Sequence, residues 1–383
     1  MKKVCVVTAT RAEYGILTPL IKRIQDDEEL ELQLVVTGTH LSHKHGMTVN
    51  QIEKDGFAID AFIPILEEGN RACDVSITVA NAVKGFSQYF SKNRPDMVVV
   101  LGDRTEMLGV AIAAMNENIM ICHIHGGEVT EGAVDDCVRH ALTKISYLHF
   151  TGTEVYRNRV IQLGEAPDRV FNVGTLSAEN ILTVPLMSEE QIREDIGIVS
   201  GKDYVVVTLH PETVDNISSE VIAAMLCEVM KENSELFYII TAANADAGGD
   251  KINQIFQRFA EENKNVYFES SLGMKRYLSA VKSAAFVLGN SSSGIVEAPI
   301  LGVPTINIGN RQKGRIMAET IINVPFEKDR ISTAIKVVKL SERKPSTIYG
   351  EGKTSEKMVK LIKQFIMQES FDLKKRFYDL ESL

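Results

Sequence analysis

The chain has 383 residues, of which 44% are hydrophobic and 24% are charged, and its formal net charge is -9. This length favours two domains over a single core, and the acidic balance argues against broad binding to nucleic acid or to anionic membranes. The longest apolar stretches are strand-sized, and the first residues lack the pattern of a signal peptide. Five cysteines without a C-x-x-C pair predict a cytoplasmic protein that has no zinc site.

Short β-branched runs alternate with longer amphipathic runs in the first half of the chain. The short runs are typical of buried parallel strands, and the longer ones are typical of helices that pack on a sheet. Strands are predicted at Val4–Thr8, Leu32–Thr37, Met97–Leu101, Ile119–Ile124 and Val170–Val173, and helices at Leu17–Asp26, Val75–Ser91 and Thr105–Asn116.

The same alternation begins again in the second half. It predicts strands at Tyr204–Leu209, Phe237–Thr241, Val266–Phe268, Phe286–Gly289 and Thr305–Ile308. Two successive sets of βαβ units predict an α/β protein of two Rossmann-like, doubly wound parallel-sheet domains facing a central cleft. We predict an N-terminal domain over residues 1–176, a C-terminal domain over 177–369, and a last helix over 370–383 that joins the N-terminal domain.

Acidic residues, histidines and arginines follow two of the predicted strands in the first half. Gly102-Asp103-Arg104 comes directly after one strand, and His123–Glu128 closes the next. Because the carboxyl ends of parallel strands meet at one edge of a sheet, we expect these side chains to lie close together. Carboxylates, an imidazole and guanidinium groups at such an edge indicate proton transfer on an anionic substrate.

Three carboxylates in this region are candidates for the proton transfer, namely Asp103, Glu128 and Asp135. A carboxylate at a strand end is also a common helix cap, which is the alternative interpretation of each. Asp136 and Arg139 are spaced for an intrahelical ion pair. Which carboxylate serves as acid and which as base depends on burial and on neighbours, so the sequence leaves that choice open.

A glycine- and serine-rich run in the second half predicts a phosphate site. The run Gly289–Gly294 ends a strand and opens a helix, where backbone N–H groups and the hydroxyls of Ser291 and Ser292 can hold phosphate. Glu297, a few residues into that helix, can reach a ribose diol. The alternative is that the serines cap the helix and that Glu297 complements its dipole.

Three basic side chains follow strands in the predicted domains. Arg11 follows the first strand and can hold a diphosphate, and His210 follows the first strand of the second domain and can steady a leaving group. Arg311 adds positive charge after a later strand. Arg11 and Arg311 could instead lie on solvated loops, and His210 could have a structural role. The glycines near Arg11 do not form G-x-G-x-x-G, so binding of a nicotinamide cofactor is not supported.

Taken in chain order, these motifs resemble the hydrolysing branch of the UDP-N-acetylglucosamine 2-epimerase family. The Gly-Gly-Glu run and the Asp-Asp pair followed by Arg-His favour that branch, and animal relatives carry Glu where this chain has His125. The resemblance extends from Val4 to about Gly352 and rests on the Arg11 turn, Gly38–His40, Gly102–Arg104, His123–Glu128, Asp135–His140, His210-Pro211, Asn290–Ser293, Glu297 and Gly309–Gln312.

The resemblance implies a GT-B fold and a reaction in two stages. UDP leaves C1 as the C2 proton is removed, which gives a 2-acetamidoglucal, and water then adds with inversion at C2 to release N-acetylmannosamine. The implied catalytic residues are Asp103, Glu128, Asp135 and His210. The implied substrate-binding residues are Arg11, His40, Arg104, His125, Arg139, Asn244, Ser291, Ser292, Glu297 and Arg311.

The resemblance also implies a UDP-sugar substrate, a homodimer or a dimer of dimers, and no cofactor or metal. N-acetylmannosamine production for sialic acid synthesis is the leading interpretation, and a hydrolysing UDP-N,N'-diacetylbacillosamine 2-epimerase is the close alternative. Two other classes stay open: a GT-B glycosyltransferase would share the fold, and a non-catalytic UDP-sugar sensor would not need Asp103 and Glu128 together.

Overall fold

The computed structural model describes residues 1–67, 69, 71–130, 134–199, 201–212, 218–243, 248–368 and 372–380. The chain divides into two compact units. The N-terminal unit consists of Met1–Asn180 together with Gly350–Leu383, and the C-terminal unit consists of Ile181–Tyr349.

The described part of the N-terminal unit contains one parallel sheet of seven strands, in the order β3-β2-β1-β4-β5-β6-β7. The strands are β1 (Lys2–Thr8), β2 (Leu30–Thr37), β3 (Ala61–Ile63), β4 (Met97–Leu101), β5 (Met120–Ile124), β6 (Leu148–Thr151) and β7 (Val170–Asn172). The helices are α1 (Arg11–Gln25), α2 (Val49–Lys54), α3 (Ala72–Lys92), α4 (Thr105–Asn116), α5 (Val134–Ile145), α6 (Glu154–Gln162), α7 (Leu176–Thr183), which crosses the division after Asn180, and α14 (Thr354–Ile366).

Both faces of this sheet are buried, which explains why its central strands are almost continuously apolar. Val4 and Val6 of β1 belong to the hydrophobic cluster that includes residues of α1 and α14. Cys5 and Val7, which alternate with them, belong to the cluster that includes residues of α3 and α4. The strand order reverses direction between β1 and β4, and the ends of these two strands form the switch point where such folds bind ligands.

The described part of the C-terminal unit contains a parallel sheet of six strands, in the order β10-β9-β8-β11-β12-β13. The strands are β8 (Tyr204–Thr208), β9 (Phe237–Thr241), β10 (Val266–Glu269), β11 (Phe286–Gly289), β12 (Thr305–Ile308) and β13 (Ile321–Val324). The helices are α8 (Glu189–Ile196), α9 (Ser219–Glu232), α10 (Gly249–Glu262), α11 (Gly273–Ser283), α12 (Glu297–Ile300) and α13 (Lys328–Val338). Two parallel-sheet α/β domains were predicted, and two are observed.

The end of the chain differs from the predicted domain bounds. The chain returns to the N-terminal unit at Gly350, not at residue 370, and the returning helix is α14. Gly350 has φ +116, and a Cβ there would lie 3.0 Å from Gly174 Cα, so glycine lets the two segments pass closely. The Thr354 hydroxyl then donates to the Thr175 carbonyl (3.1 Å), which ties the start of α14 to α7.

Residues 372–380 have no helical structure, in contrast to the predicted last helix. Lys375 holds this segment to the N-terminal unit through the buried Glu165 carboxylate (2.7 Å) and the carbonyls of Lys144 and Ser146 (2.7 and 2.6 Å). Although burial raises the pKa of Glu165, hydrogen bonds from His149 and the lysines hold it at about 2. The tail is thus fastened by the ion pair and hydrogen bonds of Lys375, and Leu373 also packs against the hydrophobic core of the unit.

Within the described ranges, no helix is long and apolar enough to cross a membrane.

The ion pair of Lys375 yields a prediction about stability. Lys375→Ala leaves the fully buried Glu165 carboxylate with fewer cations, and we expect a loss of about 2 kcal/mol, which corresponds to a fall of several degrees in the unfolding temperature. Thermal unfolding of the intact chain measures the change. The exposed neighbour Lys374→Ala is the matched control, and equal unfolding temperatures for the two variants would contradict the importance of the buried pair.

Candidate functional site

The candidate site in the N-terminal unit lies where β1, β4 and β5 end. These strands are neighbours in the order β1-β4-β5, so the segments after them share one edge of the sheet. Arg11 begins α1 after β1, Asp103 and Arg104 follow β4, and His125 and Glu128 follow β5. The expectation that these segments meet at one edge therefore holds.

One buried guanidinium connects the acidic residues of this edge. The Arg139 side chain is only 4% exposed, and it forms ion pairs with the carboxylates of Asp103 and Asp136. It also donates to the Glu128 carbonyl (3.0 Å) and to the Thr130 hydroxyl (3.2 Å). These contacts make Arg139 the residue that fixes the positions of the β4 and β5 loops, and its contact with substrate stays a prediction.

Asp136 forms the intrahelical ion pair with Arg139 that its spacing suggested, and it makes further contacts. Its Oδ1 accepts from both Arg139 (3.0 Å) and the backbone N–H of Thr130 (2.9 Å), and its Oδ2 lies 3.5 Å from His140 Nε2. Asp135, the neighbouring candidate, lies exposed on the first turn of α5 and makes no hydrogen bond or ion pair with the residues that the structure describes. The described contacts therefore hold the carboxylate of Asp136 and not that of Asp135.

The loop after β5 is held in a conformation that depends on two glycines. His125 has φ +68, an uncommon value for a residue with a side chain, and its N–H donates to Phe150 O (2.9 Å). A Cβ on Gly126 would lie 3.1 Å from Thr143 Oγ1, and one on Gly127 would lie 2.3 Å from Tyr156 O. The close packing leaves His125 Nδ1 3.5 Å from Glu128 Oε1.

His123, also in this run, has a structural role. It is fully buried, its Nε2 lies 2.8 Å from the Gly102 carbonyl, and its Nδ1 lies 3.2 Å from the Thr143 hydroxyl. Burial lowers the pKa of His123 to about 3, so the ring is neutral near pH 7 and donates from Nε2 to Gly102. This hydrogen bond holds β5 against the residue that precedes Asp103.

The structure differs from the prediction that His40 contacts substrate. The residue is fully buried, and its two ring nitrogens lie 3.1 Å from Thr8 Oγ1 and 2.8 Å from Thr48 Oγ1. Burial lowers the pKa of His40 to about 4, as expected for an imidazole enclosed by neutral groups. His40 therefore connects the end of β2 to Thr8 and Thr48. The prediction did not foresee this, because the side chain of a histidine at a strand end can point inward as well as outward.

Two buried glutamates beside the switch point were not predicted. Glu13, on the first turn of α1, accepts from the Ala9 N–H (3.0 Å), and its other oxygen has no partner among the described residues. Burial raises the pKa of Glu13 to about 7. Glu106, on the first turn of α4, pairs with Arg104 (2.7 Å). Arg11, which was predicted to hold the diphosphate, is exposed. The helix-cap spacing of Glu13 after Thr10 was the only available signal.

In the C-terminal unit, the Asn290 side chain joins the ends of β8 and β11. Asn290 is 0% exposed, its Oδ1 accepts from the His210 N–H (2.7 Å), and its Nδ2 donates to the His210 carbonyl (2.9 Å). The Asn290 carbonyl in turn accepts from Gln312 Nε2 (2.9 Å) and from the Arg311 guanidinium (3.4 Å). His210, Arg311 and the serine loop are thus fixed around one amide.

The serine loop has the predicted position but little of the predicted helix. Residues Ser292–Gly294 form a 3-10 turn, and α12 is only four residues long. Ser291 caps the turn by accepting from the Ser293 N–H (3.3 Å), and Ser292 is partly exposed. Gly289 has φ +139 and a Cβ there would lie 2.0 Å from Thr208 O, so only glycine fits at this strand end.

Glu297 begins α12, and burial raises the pKa of its carboxyl, while a hydrogen bond with Ser293 partly offsets this rise. Glu212, which was not assigned a role, is also buried and accepts from the Asn310 N–H (2.8 Å), so it fixes the loop after β12. Its position two residues after His210 was the only sequence signal. Asn244 lies outside the described residues.

Within the described part of the chain, no group of three or more His, Cys, Asp or Glu side chains could hold a metal ion. The N-terminal unit instead offers carboxylates and an imidazole, which suit proton transfer. The C-terminal unit offers hydroxyls, backbone N–H groups and an arginine, which suit phosphate.

Comparisons with known proteins agree with this chemistry. A family model described as UDP-N-acetylglucosamine 2-epimerase matches residues 22–363. The polysialic acid biosynthesis protein P7 of Escherichia coli is 39% identical over 386 residues, covering 99% of this chain and 98% of that protein. The GDP/UDP-N,N'-diacetylbacillosamine 2-epimerase (hydrolyzing) of Campylobacter jejuni is 39% identical over 323 residues, or 84% of each chain.

The fold also agrees with a solved structure. The crystal structure of UDP-GlcNAc 2-epimerase from Neisseria meningitidis bound to UDP-GlcNAc has a TM-score of 0.75 at 18% identity, covering 94% of this chain and 100% of that chain. This likeness confirms the predicted fold class of two Rossmann-like α/β domains of GT-B type. The family match and the 39% identity over nearly the whole chain show that this protein belongs to the UDP-N-acetylglucosamine 2-epimerase family of enzymes, as its motifs predicted.

Proposed function

We propose that the protein is a hydrolysing UDP-N-acetylglucosamine 2-epimerase, which converts its substrate and water into N-acetylmannosamine and UDP. The observation that carries the proposal is the set of carboxylates that Arg139 and the β5 loop hold at the switch-point edge. The 39% identity to a polysialic acid biosynthesis protein supports N-acetylmannosamine as the product, for use in sialic acid synthesis.

The reaction requires several kinds of chemical group, and residues of the two units supply different ones. The elimination needs a base for an unactivated C2–H bond and positive or hydrogen-bonding groups for the departing diphosphate. We assign proton transfer to Asp103, Glu128 and Asp135, and contact with the sugar to Arg104. Stabilisation of the leaving diphosphate lowers the barrier most, since one well-placed donor contributes roughly 3 kcal/mol.

We assign the UDP moiety to residues of the C-terminal unit, and we also assign Arg11 to the diphosphate. Ser291 and Ser292, at a strand end where backbone N–H groups lie nearby, are assigned to phosphate, and Glu297 is assigned to the ribose. His210 and Arg311 supply donors and charge to the diphosphate as it leaves. The common attachment of His210 and Arg311 to Asn290 supports a single phosphate site in this unit.

A hydrolysing UDP-N,N'-diacetylbacillosamine 2-epimerase is the second candidate, favoured by the 39% identity to the Campylobacter jejuni enzyme of that name. The two substrates differ at C4 and C6, and the first-unit loops 43–47 and 67–71 are the proposed determinants. A GT-B glycosyltransferase would share the fold but would transfer the sugar to an acceptor. The family resemblance also supports a homodimer or a dimer of dimers.

The decisive experiment is NMR of the purified protein with UDP-N-acetylglucosamine in D2O. We expect stoichiometric UDP and free N-acetylmannosamine that carries deuterium at C2. UDP-N-acetylmannosamine retained as a nucleotide sugar would contradict hydrolysis. Turnover of only the diacetylbacillosamine substrate in a parallel assay would select the second candidate, and transfer to an added acceptor would select the glycosyltransferase.

Amide variants test the proton-transfer groups one at a time. Asp103→Asn, Glu128→Gln and Asp135→Asn should each lower turnover at least 100-fold, because proton transfer by a placed group contributes about that factor or more. The Kd for UDP, measured by calorimetry, should stay within about threefold of the wild-type value. Asp26→Asn, on the exposed end of α1, is the matched control. A variant that keeps near-full turnover removes its residue from the assignment.

Removal of the loop hydroxyls tests the phosphate site. The Ser291→Ala, Ser292→Ala double variant should bind UDP at least tenfold more weakly, because hydrogen bonds to a charged group contribute about 1.5–3 kcal/mol each. The exposed Ser341→Ala in the same unit serves as the control. Calorimetry gives the affinity, and unchanged affinity in a folded double variant would show that the serines only cap the turn.

A further inference from the structure

One residue at the sheet edge where β1, β4 and β5 end has an uncommon backbone conformation and a ring nitrogen without a described hydrogen-bond partner. His125 has φ +68, and its side chain is 17% exposed. Its Nε2 atom is buried and has no hydrogen-bond partner among the described residues. A buried nitrogen without a partner is costly, and an uncommon φ at a site persists only when the surroundings enforce it.

The surroundings of His125 do enforce it. The His125 N–H donates to Phe150 O (2.9 Å), which fixes the start of the loop to β6. After it, Gly126 packs against His123 and Thr143, and Gly127 passes so close to Tyr156 that no Cβ fits. The Arg159 guanidinium donates to the Gly127 carbonyl (2.6 Å) and closes the loop. The ring direction is therefore set by the backbone on both sides.

The two ring nitrogens face different groups. Nδ1 lies 3.5 Å from Oε1 of Glu128, whose backbone carbonyl is itself held by Arg139 (3.0 Å). A carboxylate near Nδ1 favours the tautomer that has its proton on Nδ1 and its lone pair on Nε2, as carboxylates do for catalytic imidazoles in other enzymes. The unpartnered Nε2 is then the atom with which a substrate proton can interact.

Asp103 is less suited to that task than its position suggests. Its carboxylate is paired with the buried Arg139 guanidinium, so it accepts a strong charge-assisted hydrogen bond before any substrate arrives. Glu128 and His125 are less encumbered, with a 33% exposed carboxylate beside the ring. Two other groups near this edge also have a buried acceptor atom without a partner among the described residues, namely Glu13 Oε1 and His140 Nδ1. His125 differs from them in its place on the β5 loop beside the Glu128 carboxylate.

We propose that His125 is the base that removes the C2 proton of the UDP-sugar, and that Glu128, assigned above to proton transfer, serves it through the ring as a positioning residue. The inference rests on the proposed function, since it requires an elimination across C1 and C2. In this step the C2–H bond breaks and its proton passes to Nε2. The C–H electron pair forms the C1–C2 double bond, and the C1–O electron pair leaves on the β-phosphate oxygen of UDP.

The second stage restores the enzyme. The oxygen of water bonds to C1 and its released proton passes to solvent, while an acid of the site donates a proton to C2 on the face opposite to the one that lost it, which gives the inverted configuration. His125 returns its proton to solvent between turnovers. Asp103 and Asp135 remain the candidates for the proton that arrives at C2.

The test is chemical rescue of a variant that suits the backbone. His125→Gly removes the ring while glycine adopts a positive φ at no steric cost. We expect turnover of whichever UDP-sugar the wild-type protein uses to fall at least 100-fold, with the UDP Kd and the unfolding temperature unchanged or improved. Free imidazole at millimolar concentration should restore turnover at least tenfold. Asn118→Gly, at another positive φ outside the site, is the control. Its turnover should equal that of the wild-type protein and should not change when imidazole is added.

A second variant examines the partnership with Glu128. Glu128→Gln in the His125→Gly background should cause no further loss, because Glu128 acts only through the ring. An independent, multiplicative loss would mean that Glu128 meets the substrate itself and would overturn its positioning role. If His125→Gly does not fold, His125→Asn replaces it, since asparagine also tolerates this φ.

The outcomes separate the two proposals. Turnover of neither UDP-sugar by the wild-type protein contradicts the proposed function. Wild-type turnover together with a fully active His125→Gly variant contradicts only the role of His125. An inactive, folded variant that binds UDP but does not respond to imidazole also overturns the inference, because removal of the ring leaves a space that imidazole can enter to replace the missing base.

Discussion

In the N-terminal unit, the positions of the loops after β4 and β5 depend on one buried cation. Arg139 is on α5, yet its guanidinium contacts Asp103 after β4 and both Glu128 and Thr130 after β5. An arginine that is 4% exposed is tolerable only because these acceptors replace its lost hydration. The same contacts that stabilise the charge therefore determine where the loops lie, so a single guanidinium sets the geometry of two strand ends.

In the C-terminal unit, an uncharged side chain fixes the two strand ends. A neutral amide, Asn290, uses its oxygen and its nitrogen on the N–H and the carbonyl of His210, and the carbonyl of Asn290 accepts from Gln312. An amide would suit the diphosphate site proposed for this unit, because it orients donors without presenting a carboxylate to the ligand. Rigid support of this kind lets a loop bind phosphate without the entropic cost of ordering itself at each encounter.

Much of the fold follows from the apolar runs alone. The central strands Met97–Leu101, Phe237–Thr241 and Thr305–Ile308 have the predicted bounds, because strands covered on both faces are marked by uninterrupted β-branched and apolar residues. The short edge strand β3 was missed, since three residues with an exposed Phe62 have no comparable signal. The first turn of α1 was missed because its polar residues form a cap, not an apolar face.

The site follows from the sequence only in part, and the reason is the range of its contacts. Strand-end positions predicted which segments meet, but not which polar side chains turn inward. His40 and Asp103 both follow strands, yet Thr8 and Thr48 enclose the histidine, whereas the aspartate stays partly exposed. The bond from His210 to Asn290 joins residues 80 positions apart, and no local pattern indicates such a partner.

The same packing explains why the β5 loop can hold a histidine in an uncommon conformation. A residue with a side chain at positive φ costs about 1–2 kcal/mol, so an isolated loop would relax. Here Gly126 and Gly127 let the chain lie against Thr143 and Tyr156, and the hydrogen bond to Phe150 O anchors the other side. Relaxing His125 would require these contacts to break together, and that cooperative cost exceeds the local strain. The conformation of the ring is thus a property of the packed core beneath it, which is what a proton-transfer group needs if it is to meet C2 at a fixed distance.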